Sequence, residues 1–284
     1  MTELELVASG FGIVEGPTID GEGDLYFSDV SRGGVYRLTP DGRVDAVVPK
    51  RKGVGGVCLH ADGGIVVTGR DVSHVKDGLS RVLLTREEAA ALGGTGAVGG
   101  FNDLCADAHG RILVGTVRLD EHGNRLEGEL LLVTGEHEAR VLYGGVDGCN
   151  GVAIGPTGDI YHCASVAREV IVSRFMDSDN VEIVQRLSTG AADGMPDGLK
   201  LDVEGYFWIA FYQGGSVGRF SSDGTLAHRI AIPAHDVTSL CFAGVDSCDM
   251  FIVTEDNEND PALGGSIFRT RVTVQGAPVY PARI

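Results

Sequence analysis

The 284-residue chain is short of positive charge: 23 Lys and Arg face 40 Asp and Glu, a formal net charge of −17. That balance repels phosphate backbones and anionic lipid headgroups, so neither nucleic acid nor membrane is expected as a partner. The chain also lacks an apolar run of the roughly 18 residues that suggest a membrane-spanning helix. No basic stretch followed by a long apolar one opens it. A soluble, cytoplasmic protein is the expectation. Cys-x-x-Cys pairs are missing too. The six cysteines, Cys58, Cys105, Cys149, Cys163, Cys241 and Cys248, fall mostly in apolar, strand-like contexts. Neither a disulfide framework nor a zinc knuckle is indicated, and buried, reduced thiols are expected. Helical patterning is scarce. Residues 85–92 form the one helix-like patch, with Thr85 as N-cap and Glu88 three residues on, the spacing of a capping box.

What the chain has in excess is glycine, 43 residues, about double ordinary usage. Hairpin turns would use it. Hydrophobic residues at 43% supply material for a core. The glycines are also periodic. Residues 197–211 read as strand, tight turn at Glu204-Gly205, and strand. Five more copies align on the turn. Glu15, Gly55, Asn102, Asn150 and Asp197 each stand eight residues before a glycine (Gly23, Gly63, Gly110, Gly158, Gly205), and Thr238 stands eight before Asp246. The spacings between these first residues are 40, 47, 48, 47 and 41.

That period, with short strands and glycine-rich turns, suits four-stranded propeller blades. Six copies predict an all-β, six-bladed β-propeller, a single domain over residues 1–284. Blades are expected near residues 11–49, 50–92, 101–143, 147–188, 193–232 and 236–275. One blade alone has too little apolar face to be stable, so neighbours must stack. Closing the ring removes free edges. Leu4-Glu5-Leu6-Val7 is expected to complete the last blade beside a strand near Ile267 to Val274.

Equivalent repeats place equivalent residues on the six innermost strands. Glu15, Gly55, Asn102, Asn150, Asp197 and Thr238 should therefore ring the central channel. Turn chemistry is the plain alternative for an Asn-Gly or Asp-Gly pair, although Glu15 is not a turn residue. Two carboxylates facing one axis repel, and partial burial raises their pKa values. A divalent cation removes the conflict. An all-oxygen set of Glu, Asn and Asp favours a hard ion. Ca²⁺ is the first candidate, with Mg²⁺, Mn²⁺ or Zn²⁺ as the others. Three protein ligands leave positions for water and substrate.

Other motifs carry less. Residues 214–218 match G-x-S-x-G, but they join two predicted strands, so Ser216 is a turn serine and no nucleophile elbow. Residues 94–99 match G-x-G-x-x-G without a strand-to-helix unit, and read as a flexible linker. His235-Asp236 is expected at a surface turn. Residues 118–125 form a polar loop long enough to reach over a channel mouth. Residues 255–260 form an acidic loop without EF-hand spacing, expected to be solvated.

The phrases Glu15-Gly-Pro, Phe101-Asn102-Asp103, Asn150-Gly-Val-Ala-Ile and Pro196-Asp197-Gly198-Leu, with Trp208-Ile-Ala, resemble the gluconolactonase / senescence-marker-protein (regucalcin) / luciferin-regenerating-enzyme family. The resemblance runs through all six repeats. It implies a six-bladed propeller with one divalent metal in the channel, held by Glu15, Asn150 and Asp197. It also implies Asn102 and Asp120 as substrate contacts and Asp197 as catalytic acid/base. Gly100 stands where sugar-lactone members carry an Arg, which points to a lactone less polar than gluconolactone. Expected chemistry is metal-assisted opening of a lactone, a small-molecule substrate. The alternatives are aryl-ester or phosphotriester hydrolysis at the same metal, or a non-catalytic Ca²⁺- or small-molecule-binding propeller.

Overall fold

The protein is described by a computed structural model over residues 3–244, 246–255 and 260–284. Six antiparallel sheets follow one another around a closed ring, each with four main strands, in sequence order in five of them and with the N-terminal strand outermost in the sixth. This is a six-bladed β-propeller. The innermost strands are Val14–Ile19, Val57–Leu59, Ala97–Ala106, Cys149–Ile154, Met195–Leu201 and Val237–Phe242. Each contacts the innermost strand of the next blade, and the sixth contacts the first. The third blade carries an extra two-residue strand, Arg125–Leu126, paired to Ile112–Leu119.

No blade holds a core of its own. Tyr161 and Val170 of the fourth blade pack in one cluster with Leu199, Phe207 and Phe220 of the fifth. A middle strand is therefore covered on both faces. Phe207–Tyr212 reads Phe-Trp-Ile-Ala-Phe-Tyr and is buried through Phe211. An outer strand such as Val181–Ser188 is largely exposed and mixes polar with apolar residues.

The six turns after the innermost strands share one conformation. Gly23, Gly63, Gly110, Gly158 and Gly205 have φ between +80° and +88°, and Asp246 has φ of +62°. The left-handed region is open to glycine and tolerated by Asp. The missing glycine of the sixth repeat is thus a substitution within the same turn. In the fifth blade the turn is locked by Asp202, fully buried, which accepts from the Glu204 and Tyr206 amides, from Trp208 Nε1 at 2.9 Å and from Arg219 Nε at 2.8 Å.

Closure follows the expectation. Leu4–Ala8 pairs with Ile267–Arg271 as the outer strand of the sixth blade, with Leu4 opposite Thr270. The C-terminal segment then does something the repeats do not announce. It crosses the lower face of the wheel, bridging Gly276 to Asp202, Tyr280 to Ala106 and Ala282 to His60. The helix Arg86–Ala91 has the capping box of Thr85 and Glu88. No helix among the described residues is long and apolar enough to cross a membrane.

Candidate metal centre

Five of the six innermost strands carry a register shift just after the ring position. Examples are Glu15/Thr18 in the first blade, Phe101/Leu104 in the third and Pro196/Leu199 in the fifth. A bulge puts two residues opposite one and re-aims the chain. The residue after the ring position then meets the neighbouring blade, and where it is glycine there is no room for a side chain. A Cβ at Gly16 would lie 2.8 Å from the Val57 amide nitrogen, and one at Gly151 2.4 Å from the Asp197 carbonyl oxygen.

A second device fixes the ring from outside. The carbonyl just before a ring residue is captured by the preceding blade. Ser28 Oγ donates to Val54 O at 2.6 Å, Asn102 Nδ2 to Cys149 O at 2.9 Å, Ser165 Oγ to Pro196 O at 2.6 Å and Thr238 Oγ1 to Val14 O at 2.5 Å. Gly55, Asn150, Asp197 and Glu15 are thus each anchored one residue upstream. Thr238 is itself such an anchor, 1% exposed, and not an open ligand. It sits at its expected place on an innermost strand, but its side chain is spent on the blade interface.

Asn102, Asn150 and Asp197 form one edge of the hub. Asn102 Nδ2 donates to Asn150 Oδ1 at 3.1 Å as well as to Cys149 O. The Asn150 side chain in turn favours the ionised form of Asp197. Gly55 makes room for this arrangement, since a Cβ there would stand 2.1 Å from Asn102 Oδ1. Asp197 is 5% exposed, and its Oδ1 is buried without a hydrogen-bond partner. Glu15 is 8% exposed, and its Oε2 accepts from the Gly16 amide at 3.2 Å.

The electrostatics show the strain of this grouping. Burial pushes Glu15 well above the usual carboxylate range, and Asp197 and Asp103 push it further. Asp197 is raised the same way by burial, then by Asp103 and Glu255, against the opposing charge of Arg125. Asp103 is raised to about 6 by burial, with Lys200 opposing. Buried like charges of this kind are relieved by a proton or a cation. The orphaned Asp197 oxygen beside Glu15 and Asn150 therefore fits a hard divalent ion. Among the described residues no three His, Cys, Asp or Glu side chains form a ligand cluster. The third donor here is an amide.

Residues 13–256 match the family described as SMP-30/Gluconolactonase/LRE-like region. The chain belongs to that family. It is 32% identical over 266 residues to a 6-deoxy-6-sulfogluconolactonase of Pseudomonas putida, covering 89% of this chain and 88% of the relative. It is 26% identical over 297 residues to the pentonolactonase XacC of Haloferax volcanii, covering 99% and 98%. In fold it is similar to a calcium-binding protein, regucalcin, of Agrobacterium tumefaciens, with a TM-score of 0.83 at 17% identity over 100% and 98% of the two chains.

The Asp120 carboxylate is engaged by its own turn, accepting from the His122 and Asn124 amides and from Asn124 Nδ2, each at 2.8 Å, which holds its pKa low. No hydrogen bond or ion pair among the described residues joins it to the hub. At Gly100 a Cβ would lie 2.8 Å from Gly69 O, because the Gly69 and Phe101 backbones pair there. The loop of residues 118–125 folds back onto its blade: Arg118 is buried on Glu129 at 3.0 Å, and Arg125 pairs with Leu119.

Asp103 escaped the sequence reading, although it sits where four other repeats have Gly16, Gly56, Gly151 and Gly198. A carboxylate at a small-residue position was the available signal. Ser216 begins a strand and is fully buried, so it is neither elbow nor turn. Ala97 and Val98 belong to the innermost strand of the third blade, so only the first part of the 94–99 stretch is a connector. His235 is exposed and contacts Asp236 at 3.0 Å. Most of the acidic 255–260 loop lies outside the described residues. All six cysteines are free thiols.

Proposed function

We propose that this protein is a metal-dependent lactonase acting on a lactone less polar than gluconolactone. The observation that carries the reading is the buried, unpartnered Asp197 Oδ1, set beside Glu15 and Asn150 at the hub of a propeller of this family. The lactonase names of two relatives support the reaction class. The calcium-binding description of the regucalcin neighbour supports Ca²⁺ as the first metal to test.

Glu15, Asn150 and Asp197 would hold the ion, which supplies Lewis-acid polarisation of the lactone carbonyl and acidification of water. Asp197 accepts a proton from the attacking water and returns it to the leaving alkoxide, a role suited to a carboxylate whose pKa burial has raised. Arg125 limits that rise. The two Asn102 Nδ2 hydrogens are already engaged by Cys149 O and Asn150 Oδ1. Asn102 thus orients Asn150 and leaves its Oδ1 as an acceptor for a substrate hydroxyl. Gly100 contributes no side chain, and its close backbone pairing leaves little space for one. Fewer polar contacts favour a substrate with fewer hydroxyls.

The test is proton release from a panel of alkyl- and polyhydroxy-lactones, with Ca²⁺, Mg²⁺, Mn²⁺, Zn²⁺ or EDTA. Turnover of alkyl lactones that EDTA abolishes and Asp197→Ala lacks is expected. Full activity of metal-free Asp197→Ala protein would exclude the mechanism. A clear preference for gluconolactone would exclude the substrate class.

A further inference from the structure

Below the hub the same channel opens into a cavity of about 610 Å³. That lies inside the roughly 300–1,000 Å³ range of small-molecule sites. Its upper wall comes from one residue per innermost strand, three positions after the ring residue: Thr18, Cys58, Cys105, Ala153, Lys200 and Cys241. Burial pushes the Cys58 and Cys241 thiols up to about 12 and raises Cys105 as well. These thiols stay neutral and act as small apolar groups. Residues 277–281 of the C-terminal segment line the lower side.

Among the described residues Lys200 is the only cation in this wall. No hydrogen bond or ion pair among the described residues engages its ammonium. Glu15 and Asp103 above feel its charge, but among the described residues neither makes a hydrogen bond or ion pair with it. At the rim Asp20 is held by the Glu22 and Asp24 amides at 2.9 Å, and Glu22 is exposed. Lys200 is half-buried, and an ammonium beside apolar walls and neutral thiols has no fixed counter-charge bonded to it, which leaves it open to an anionic ligand. Leu59, Ile154, Leu201 and Phe242 offer apolar surface beside it.

We propose that this lower cavity binds a medium-chain carboxylate, its head on Lys200 and its alkyl body along the apolar wall towards residues 277–281. This site is separate from the hub, and its occupancy does not require lactone hydrolysis. Lys200, which no ring or turn role explains, is the residue that selects an anion.

Octanoate titrated calorimetrically into the intact protein in EDTA tests this, since no metal at the hub then competes for the carboxylate. One molecule should bind per chain. Octanol should bind more weakly by about tenfold or more, as should octanoate to Lys200→Met, the worth of a charge-assisted contact. Lys200→Arg should retain binding, and Ala153→Phe, which fills the wall, should lose it. Asp197→Asn should leave it unchanged. Absence of octanoate binding, equal binding of octanol, or equal binding by Lys200→Met would overturn the proposal. So would loss of binding in Asp197→Asn, which would place octanoate at the hub.

Discussion

The two halves of the channel are built by the same six strands, three residues apart, and have opposite chemistry. The upper ring presents Glu15, Asn102, Asn150 and Asp197, oxygen donors in a crowd of carboxylates. The lower wall presents thiols, methyl groups and one ammonium. A bulge separates them. Without it, the period of two would make every second residue face the axis. With it, the chain takes three residues to return, and one residue between meets the adjacent blade. A propeller can therefore vary a hub and a cavity on one set of strands independently.

The sharpest way to break this contrast is Asp197→Ala. It removes the orphaned oxygen and should lower kcat/KM by roughly 10²- to 10⁴-fold, the range for a positioned acid/base, with loss of Ca²⁺ binding by calorimetry. Ala153→Phe, three residues beyond a ring residue, should leave kcat/KM within about threefold, as expected for sites without shared partners. Equal damage from both would mean that the two halves act as one site. Asn102→Ala comes next. It leaves the ligands in place but frees Asn150, and should weaken metal affinity or activity about 10- to 100-fold, as loss of an orienting partner does.

A smaller effect concerns pH. Asp103 has a pKa raised to about 6 in the folded state, against about 3.9 unfolded. Its proton is held more tightly when folded, so its stabilising contribution is complete below pH about 4 and is lost as pH rises through about 6. The metal-free protein should lose on the order of 2–3 kcal/mol over that window, and urea titrations in EDTA should show it. Asp103→Asn should make the profile less steep, with Glu15 and Asp197, raised in the same direction, supplying the remaining slope. Ca²⁺ should offset the loss by binding the neighbouring carboxylates. Asp246→Gly, at the lower rim, is the mildest change. It relieves a left-handed aspartate and should stabilise by about 0.5–1 kcal/mol, with no effect on metal binding.

Much of this was legible in the sequence because the turn is strict. A left-handed residue eight positions after each ring residue fixes the register, so six blades, their closure by Leu4–Ala8 and the nearness of Asn102, Asn150 and Asp197 could be read from spacing. The rest needed the bulge. Period-two counting does not bring Lys200 or Cys105 to the axis, and the repeat marks Asp103 only as a carboxylate where four other copies have glycine, without saying that it faces Glu15 and Asp197. Thr238 occupied a ring position by count but is held by Val14 O. Asp120 came only from the resemblance, and the repeat pattern did not announce the three hydrogen bonds of its own turn that hold it. The path of residues 276–282 under the wheel has no repeat partner to predict it.

The seam in the sixth blade also governs when the wheel can exist. Thr270 Oγ1 bonds the carbonyl of Glu3 across a sequence separation of 267 residues. During synthesis the outer strand emerges first and must wait, unpaired, until its neighbour leaves the ribosome. Blades one to five can stack meanwhile, but the circle stays open and its hub incomplete. Closure of the hub is thus a late event, and on the proposed reading a ribosome-stalled chain ending before residue 267 should hold no metal.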